Sequence, residues 1–293
     1  MSTNSATAAP EGRSLLLGIV LMVVGMAVLN LMDAISKLLT EDHSAIQVAW
    51  ARYTFHLVPL VLFAGPARVR RMVRTADLKT QVLRSAALAA SAVAIIFAFA
   101  IMPLADAIAV SFVAPLMIVA LSVPMLGERV GPHRWAAVLV GFAGMLVLVW
   151  PSGNVFEKGT LLAVVAAFFW ALGMILTRRL RDDDPWSTLF YTAFIGSALI
   201  SLAVPFHWSA PSARGWALML AMGLLGAAAH TLIIHAFRNA GASVLAPFNY
   251  TILIWATLYG WLLFGELPGP RPLAGAAIIV AAGLYAWHRE RLR

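Results

Sequence analysis

No cysteine occurs in the 293 residues. Disulfides, thiolate nucleophiles and cysteine-ligated metals are therefore excluded, and the redox compartment stays open. Charge is scarce as well. Asp, Glu, Lys and Arg make up 12% of the chain, against roughly 25% in soluble domains. With 61% hydrophobic residues, a water-soluble fold of this length would leave much of its apolar surface uncovered. A lipid bilayer is the solvent that fits this composition. The chain has no Walker A sequence, which excludes an ATP-driven pump within it, and neither HExxH nor GxSxG occurs. No nucleophile–base constellation stands out, so an enzyme is not expected, and nothing calls for a cofactor or a metal.

What is there is apolar and segmented. After a polar stretch, 1–13, expected to be a disordered tail and not a signal peptide, ten apolar runs follow. They lie at 14–39, 45–64, 81–102, 104–126, 133–150, 159–178, 186–205, 215–238, 241–264 and 271–288. Each is near the roughly 20 residues that cross a bilayer as helix. An unpaired backbone cannot face lipid, so the predicted fold is an all-α membrane protein. Of the 21 Lys and Arg, sixteen fall on the side that holds both termini, four on the other side, and Arg52 lies inside a run. That asymmetry predicts cytoplasmic termini, at 1–13 and 289–293. It also accounts for the net charge of +8 without a nucleic-acid partner.

The chain repeats itself. "LGERVGP", 126–132, and "FGELPGP", 264–270, are offset by 138 residues. Gly127 matches Gly265, Glu128 matches Glu266 and Pro132 matches Pro270. Nearer the start of each half, Ser36-Lys37 lies opposite Thr177-Arg178 at an offset of 141. Two units of five helices follow, 14–150 and 159–288. Because five is odd, the second unit enters the membrane from the opposite face. The predicted architecture is thus ten transmembrane helices built as two inverted five-helix repeats, a plan typical of secondary transporters. The corner has a local explanation too: Gly ends one helix, Pro starts the next, and Glu satisfies free amides. Pro115 in helix 4 falls opposite Leu253, and Pro247 lies at another level of helix 9, so the two halves are not expected to be identical.

The corner "FGELPGP", the run "APFNYTILIWATLYGWLLFGE" and the stretch "DAISKLL…IQVAWARY" resemble the EamA-domain branch of the drug/metabolite transporter superfamily. The resemblance covers residues 14–288. Ten-helix members include amino-acid exporters, such as the YddG-type exporters of aromatic amino acids, and others that carry S-adenosylmethionine, riboflavin or further metabolites. The resemblance implies a central cavity lined mainly by helices 1, 3, 4, 6, 8 and 9.

Polar groups within the spans are costly in lipid and are candidate sites for that reason. Asn30, Asp33 and Lys37 share one face of helix 1. Asp33 and Arg52 stand at similar depth on adjacent helices. A structural ion pair of Asp33 with Arg52, or with Lys37, competes there with substrate binding by Asn30 or Asp33. His56 and His230 are candidates for carrying a proton, against a bonded packing role. His230 is also a candidate substrate contact. Mid-span Trp170, with Asn249 and Tyr250, would suit a ligand with an apolar ring and a polar head. Ser91 and Ser111 would add hydrogen bonds or bond their own helix.

The reading that follows is a carrier in a bacterial inner membrane, functional as a monomer. It exports small metabolites, with aromatic or bulky apolar amino acids favoured, by alternating access. Import of another metabolite is the alternative. A lipid-acting enzyme or a scaffold is less well supported.

Overall fold

The computed structural model describes residues 11–127, 131–149, 158–180, 183–240 and 245–291. Every regular element among them is helical. The first half contains α1 (Glu11–Leu39), α2 (Ala45–Met72), α3 (Leu78–Phe99), α4 (Leu104–Ser111), α5 (Ala114–Leu126) and α6 (Pro132–Val149). The second contains α7 (Lys158–Arg179), α8 (Pro185–Ser201), α9 (Ala213–Asn239), α10 (Thr251–Phe264) and α11 (Pro270–Arg291). Short 3-10 turns occupy Val204–His207 and Ala246–Tyr250. With α4 and α5 counted as one interrupted pass, the described residues make ten helical passes. Five of these are apolar over a membrane-crossing length: Ser14–Leu39, Leu78–Phe99, Leu104–Leu126, Lys158–Arg179 and Ala213–Asn239. Phe248–Phe264 and Leu273–Ala282 are shorter apolar helices.

Several boundaries depart from expectation: α1 and α11 run into the expected tails, to Glu11 and Arg291, and the ninth run is α-helical only from Thr251. Two further departures have clear causes. Helix α2 continues past residue 64 to Met72. Its extension, Ala67 to Met72, is rich in Arg and other good helix formers, and the helix carries through Gly65-Pro66. The fourth pass is broken at Phe112 and Val113, whose amides reach back only three residues, to Ala109 and Val110. Pro115 has no N–H to continue the ladder and starts the next helix instead.

That break has a counterpart. At the 138-residue offset Phe112 corresponds to Tyr250, where the 3-10 turn gives way to α10. The prolines differ in position, yet both halves change helix at the same level. The caps agree as well. Gly127 ends α5 at φ 67°, ψ 18°, and Gly265 ends α10 at φ 67°, ψ 15°. In this left-handed region a Cβ meets the following carbonyl, which is why glycine stands there.

Packing follows the same exchange. Helix α1 lies on α9 and α10, and α7 lies on α3 and on α4–α5. Helix α2 contacts α8 and α9, while α8 contacts α2 and α3. Helices α6 and α11 pair with each other. Swapping the halves maps every one of these pairs onto an observed pair, α2 with α8 and α6 with α11 onto themselves. The ends are fixed by side chains. Lys37, in the last turn of α1, bonds the Met102 carbonyl, and Met102 also lies against Gly159 in the first turn of α7. Arg84, early in α3, donates to Thr177 near the end of α7.

Asp183, in the charged segment after α7, is tied to the first half. Asp183 accepts hydrogen bonds from Thr75, Gln81 and the Ala76 amide. Partial burial pushes its carboxyl up, but these three bonds outweigh burial and hold its pKa below the ordinary carboxylate range. A depressed folded pKa stabilises above the unfolded value, about 3.9. That stabilisation is lost as pH falls through the folded value. Asp183→Asn should therefore flatten the acid limb of a detergent melting curve measured against pH. A second expectation concerns glycine. Gly127→Ala and Gly265→Ala meet no neighbouring atoms, so each should lose only the backbone term, about 1–2 kcal/mol, and by similar amounts. Gly223→Ala would set a Cβ 2.4 Å from Phe55 backbone. It should cost toward the top of the about 1–3 kcal/mol of overpacking, seen as a larger drop in melting temperature.

Candidate functional site

Two ion pairs anchor the seams of α1. Arg52 donates to Asp33 at 2.8 Å, joining α2 to α1 with both side chains largely buried. Lys37 pairs with neither Asp33 nor any other group of its own half's first two helices. It reaches Glu266 at the end of α10, at 2.8 and 2.9 Å to the two carboxylate oxygens. Its third donor goes to the Met102 carbonyl at 2.8 Å, and its charge lies 5.1 Å from the centre of the Phe264 ring. All three ammonium protons are thereby used. Glu266 also accepts from the Leu104 amide at 3.3 Å, at the start of α4. The corner glutamate thereby caps a helix of the other half, α4. Glu128, its repeat counterpart, lies outside the described residues.

Beside this ion pair opens a cavity of about 630 Å³, lined by Lys37, Glu266, Thr40, Glu41, Phe99 and Phe264, among others. It sits where the ends of α1, α3 and α10 meet. The sequence signal for the pair is one basic residue at the end of the first helix of each half and one glutamate at each corner. What the sequence does not show is that α1 and α10 are neighbours.

Deeper in the bundle, His56 on α2 and His230 on α9 meet edge to face, with ring centres 5.4 Å apart. His230 donates from Nδ1 to the Gly226 carbonyl of its own helix, at 2.8 Å. Tyr250 stacks on Phe112 at 5.1 Å and 28°. Asn249 precedes it in the 3-10 turn and is half-buried. The serines serve the backbone: Ser91 donates to the Ala166 carbonyl of α7, and Ser111 to Ala107 of its own helix. Trp170 is 46% exposed on α7 and stacks on no other ring among the described residues. Asn30 is fully buried, and neither its amide oxygen nor its amide nitrogen has a hydrogen-bond partner.

Residues 16–150 and 157–286 each match the EamA-like transporter family. The chain belongs to that family. It is thus an integral membrane transporter for small molecules, and not an enzyme. The double match points to duplicated halves, as the packing does. This EamA protein is 28% identical to the S-adenosylmethionine uptake transporter of Rickettsia prowazekii (strain Madrid E), over 94% of this chain and 93% of that one. It is 31% identical to the riboflavin transporter of Vibrio cholerae serotype O1, over 84% of each chain. The pseudopaline exporter of Pseudomonas aeruginosa (strain UCBPP-PA14) is 26% identical over 90% of this chain and 94% of that one. A solved crystal structure shares the fold, with a TM-score of 0.64 at 22% identity over 96% of this chain and 99% of that one. Kinship with aromatic amino-acid exporters in particular gives way to these relatives.

The Asp33–Arg52 pair supplies a direct test. Removing one partner leaves a buried charge unmatched, which costs about 3–5 kcal/mol, whereas an apolar replacement of both is close to neutral. Asp33→Leu and Arg52→Met should each lower the melting temperature of the purified transporter sharply. The double variant should recover most of that loss.

Proposed function

We propose that the protein is a secondary transporter that moves a metabolite with a planar ring and a polar group, by alternating access between two inverted halves. The observation that carries this reading is the stack of Phe112 on Tyr250. Residues at one repeat position touch their own counterparts only where a two-fold axis passes, and the helix break in each half occurs at that level. Inversion is supported by Met102, which brings the last turn of α1 and the first turn of α7 to one end of the bundle. Two halves of opposite direction around one axis can exchange conformations and open a shared site to either side.

The Lys37–Glu266 pair closes one end in this state. The charge asymmetry supports the outer face of the inner membrane for that end, with both termini in the cytoplasm. Relatives named for S-adenosylmethionine and riboflavin favour ring-bearing metabolites over free amino acids, and the S-adenosylmethionine relative, named for uptake, favours uptake over export. His56 and His230, in contact across α2 and α9, offer a route for a coupled proton. The site lies within one chain, and a monomer suffices.

Purified protein in liposomes should accelerate entry of S-adenosylmethionine or riboflavin above empty vesicles. Lys37→Met should lower that flux by about tenfold or more, through loss of the closed outer state. A pH gradient that changes the rate would mark coupling through the histidines. Flux of phenylalanine or tryptophan alone would return the reading to amino acids, and no flux for any of the four compounds would overturn it.

A further inference from the structure

Two buried polar groups on one helix seam have no partner. Asn30 on α1 is 0% exposed with both amide atoms unpaired, and the Trp255 indole Nε1 on α10 is buried and unpaired. The two helices run parallel. Lys37 meets Glu266 at one end, and Met22 and Met26 pack in one cluster with Ile252 and Trp255 further along. Asn30 follows Met26 by four residues and so shares its face. It lies seven residues, about 10 Å, inward from Lys37, and Trp255 lies eleven residues, about 16 Å, inward from Glu266. The amide and the indole therefore stand on one seam, about 6 Å apart in depth. Tyr259 stacks on Trp255 at 6.2 Å and carries the aromatic surface toward the level of Asn30.

The fold does not need these polar atoms. At the repeat offsets Asn30 corresponds to Ala171 and Trp255 to Met117. Ala171 is fully buried and Met117 packs against the core. At these two positions the equivalent seam of the other half, α7 on α5, thus carries apolar side chains. A buried polar group without a partner is unfavourable unless something completes it. The ion pair above cannot take a ligand's polar groups without breaking, since its donors are all engaged.

We propose that Asn30 and Trp255 form a recognition point for a planar heteroaromatic group whose edge presents a donor and an acceptor side by side. The Asn amide offers the complementary acceptor and donor, the pairing it makes with an adenine edge. The Trp255 N–H donates to a further acceptor on the same ring system, and Tyr259 extends the aromatic wall. The point lies behind the Lys37–Glu266 closure, so a ligand reaches it only when the seam opens. This rests on the transport reading for its class of ligand.

Equilibrium binding to purified protein in detergent tests it, with S-adenosylmethionine and riboflavin as probes. The wild type should bind at least one. Asn30→Leu should weaken that binding about tenfold or more, and Trp255→Phe, which keeps an aromatic ring but removes the N–H, several-fold. The unliganded Asn30→Leu variant should melt no lower than the wild type, because an unpaired polar group has been replaced by an apolar one. Binding unchanged in both variants, or no binding of either probe to the wild type, overturns the inference. If liposomes carry phenylalanine and neither probe binds, the recognition point falls while transport stands. If the probes bind through Asn30 and nothing crosses, transport falls while the recognition point stands.

Discussion

Phe112 stacks on Tyr250, and the two hold the same place in the two halves of the chain. That contact constrains everything around it. It requires the interrupted pass of one half to face the interrupted pass of the other. Each half must then change helix at one level, in α4–α5 through Pro115 and before α10 through a 3-10 turn. The paired glycine caps at matching dihedral angles and the exchange of helix partners follow from the same axis. Lipid adds the second constraint. With no water to satisfy the backbone, only complete helices can surround this axis, and breaks are confined to positions covered by protein.

Against this symmetry the polar groups are placed unevenly. Asp33, Arg52, Lys37 and Asn30 belong to the first half, and their counterparts along α7 and α8 are mostly apolar. Met174, for example, stands at the position of Asp33. A symmetric shell gives two equivalent ways to open, while asymmetric polar groups let a substrate and an ion pair distinguish them. The Lys37–Glu266 pair, capped by the Leu104 amide, binds three separate segments at one end. Its donors are complete. The buried polar atoms of Asn30 and Trp255 are unmatched, and the proposed recognition point rests on that difference.

Much of this is legible in the letters. The ten passes are, because a bilayer demands a fixed length of apolar helix, and the duplication is, because "LGERVGP" and "FGELPGP" share a backbone requirement at glycine. The Asp33–Arg52 contact follows from equal depth on consecutive helices. Lys37 with Glu266 does not, since 229 residues separate them and nothing local shows that α1 and α10 are adjacent. The same holds for His56 beside His230. Glu266 has the chemistry of a cap, but which helix it caps is decided by packing. The hydroxyls of Ser91 and Ser111 find backbone partners, a competition that is invisible until the helices are placed. The run of α2 to Met72 escapes notice because beyond the lipid a helix needs no apolar signal.

The central claim is that the second set of helices is the first set turned over. The absence of native cysteine allows single thiols to be introduced without background. Glu41→Cys, just past α1, and Arg179→Cys, at the end of α7, mark the C-terminal ends of two repeat-related helices, which the inverted arrangement puts at opposite ends of the bundle. Labelled with a membrane-impermeant maleimide, intact cells should modify the variant at 41 and spare the one at 179, which should react only after the membrane is opened. Labelling of both from the same side would contradict the inverted arrangement and the transport mechanism built on it.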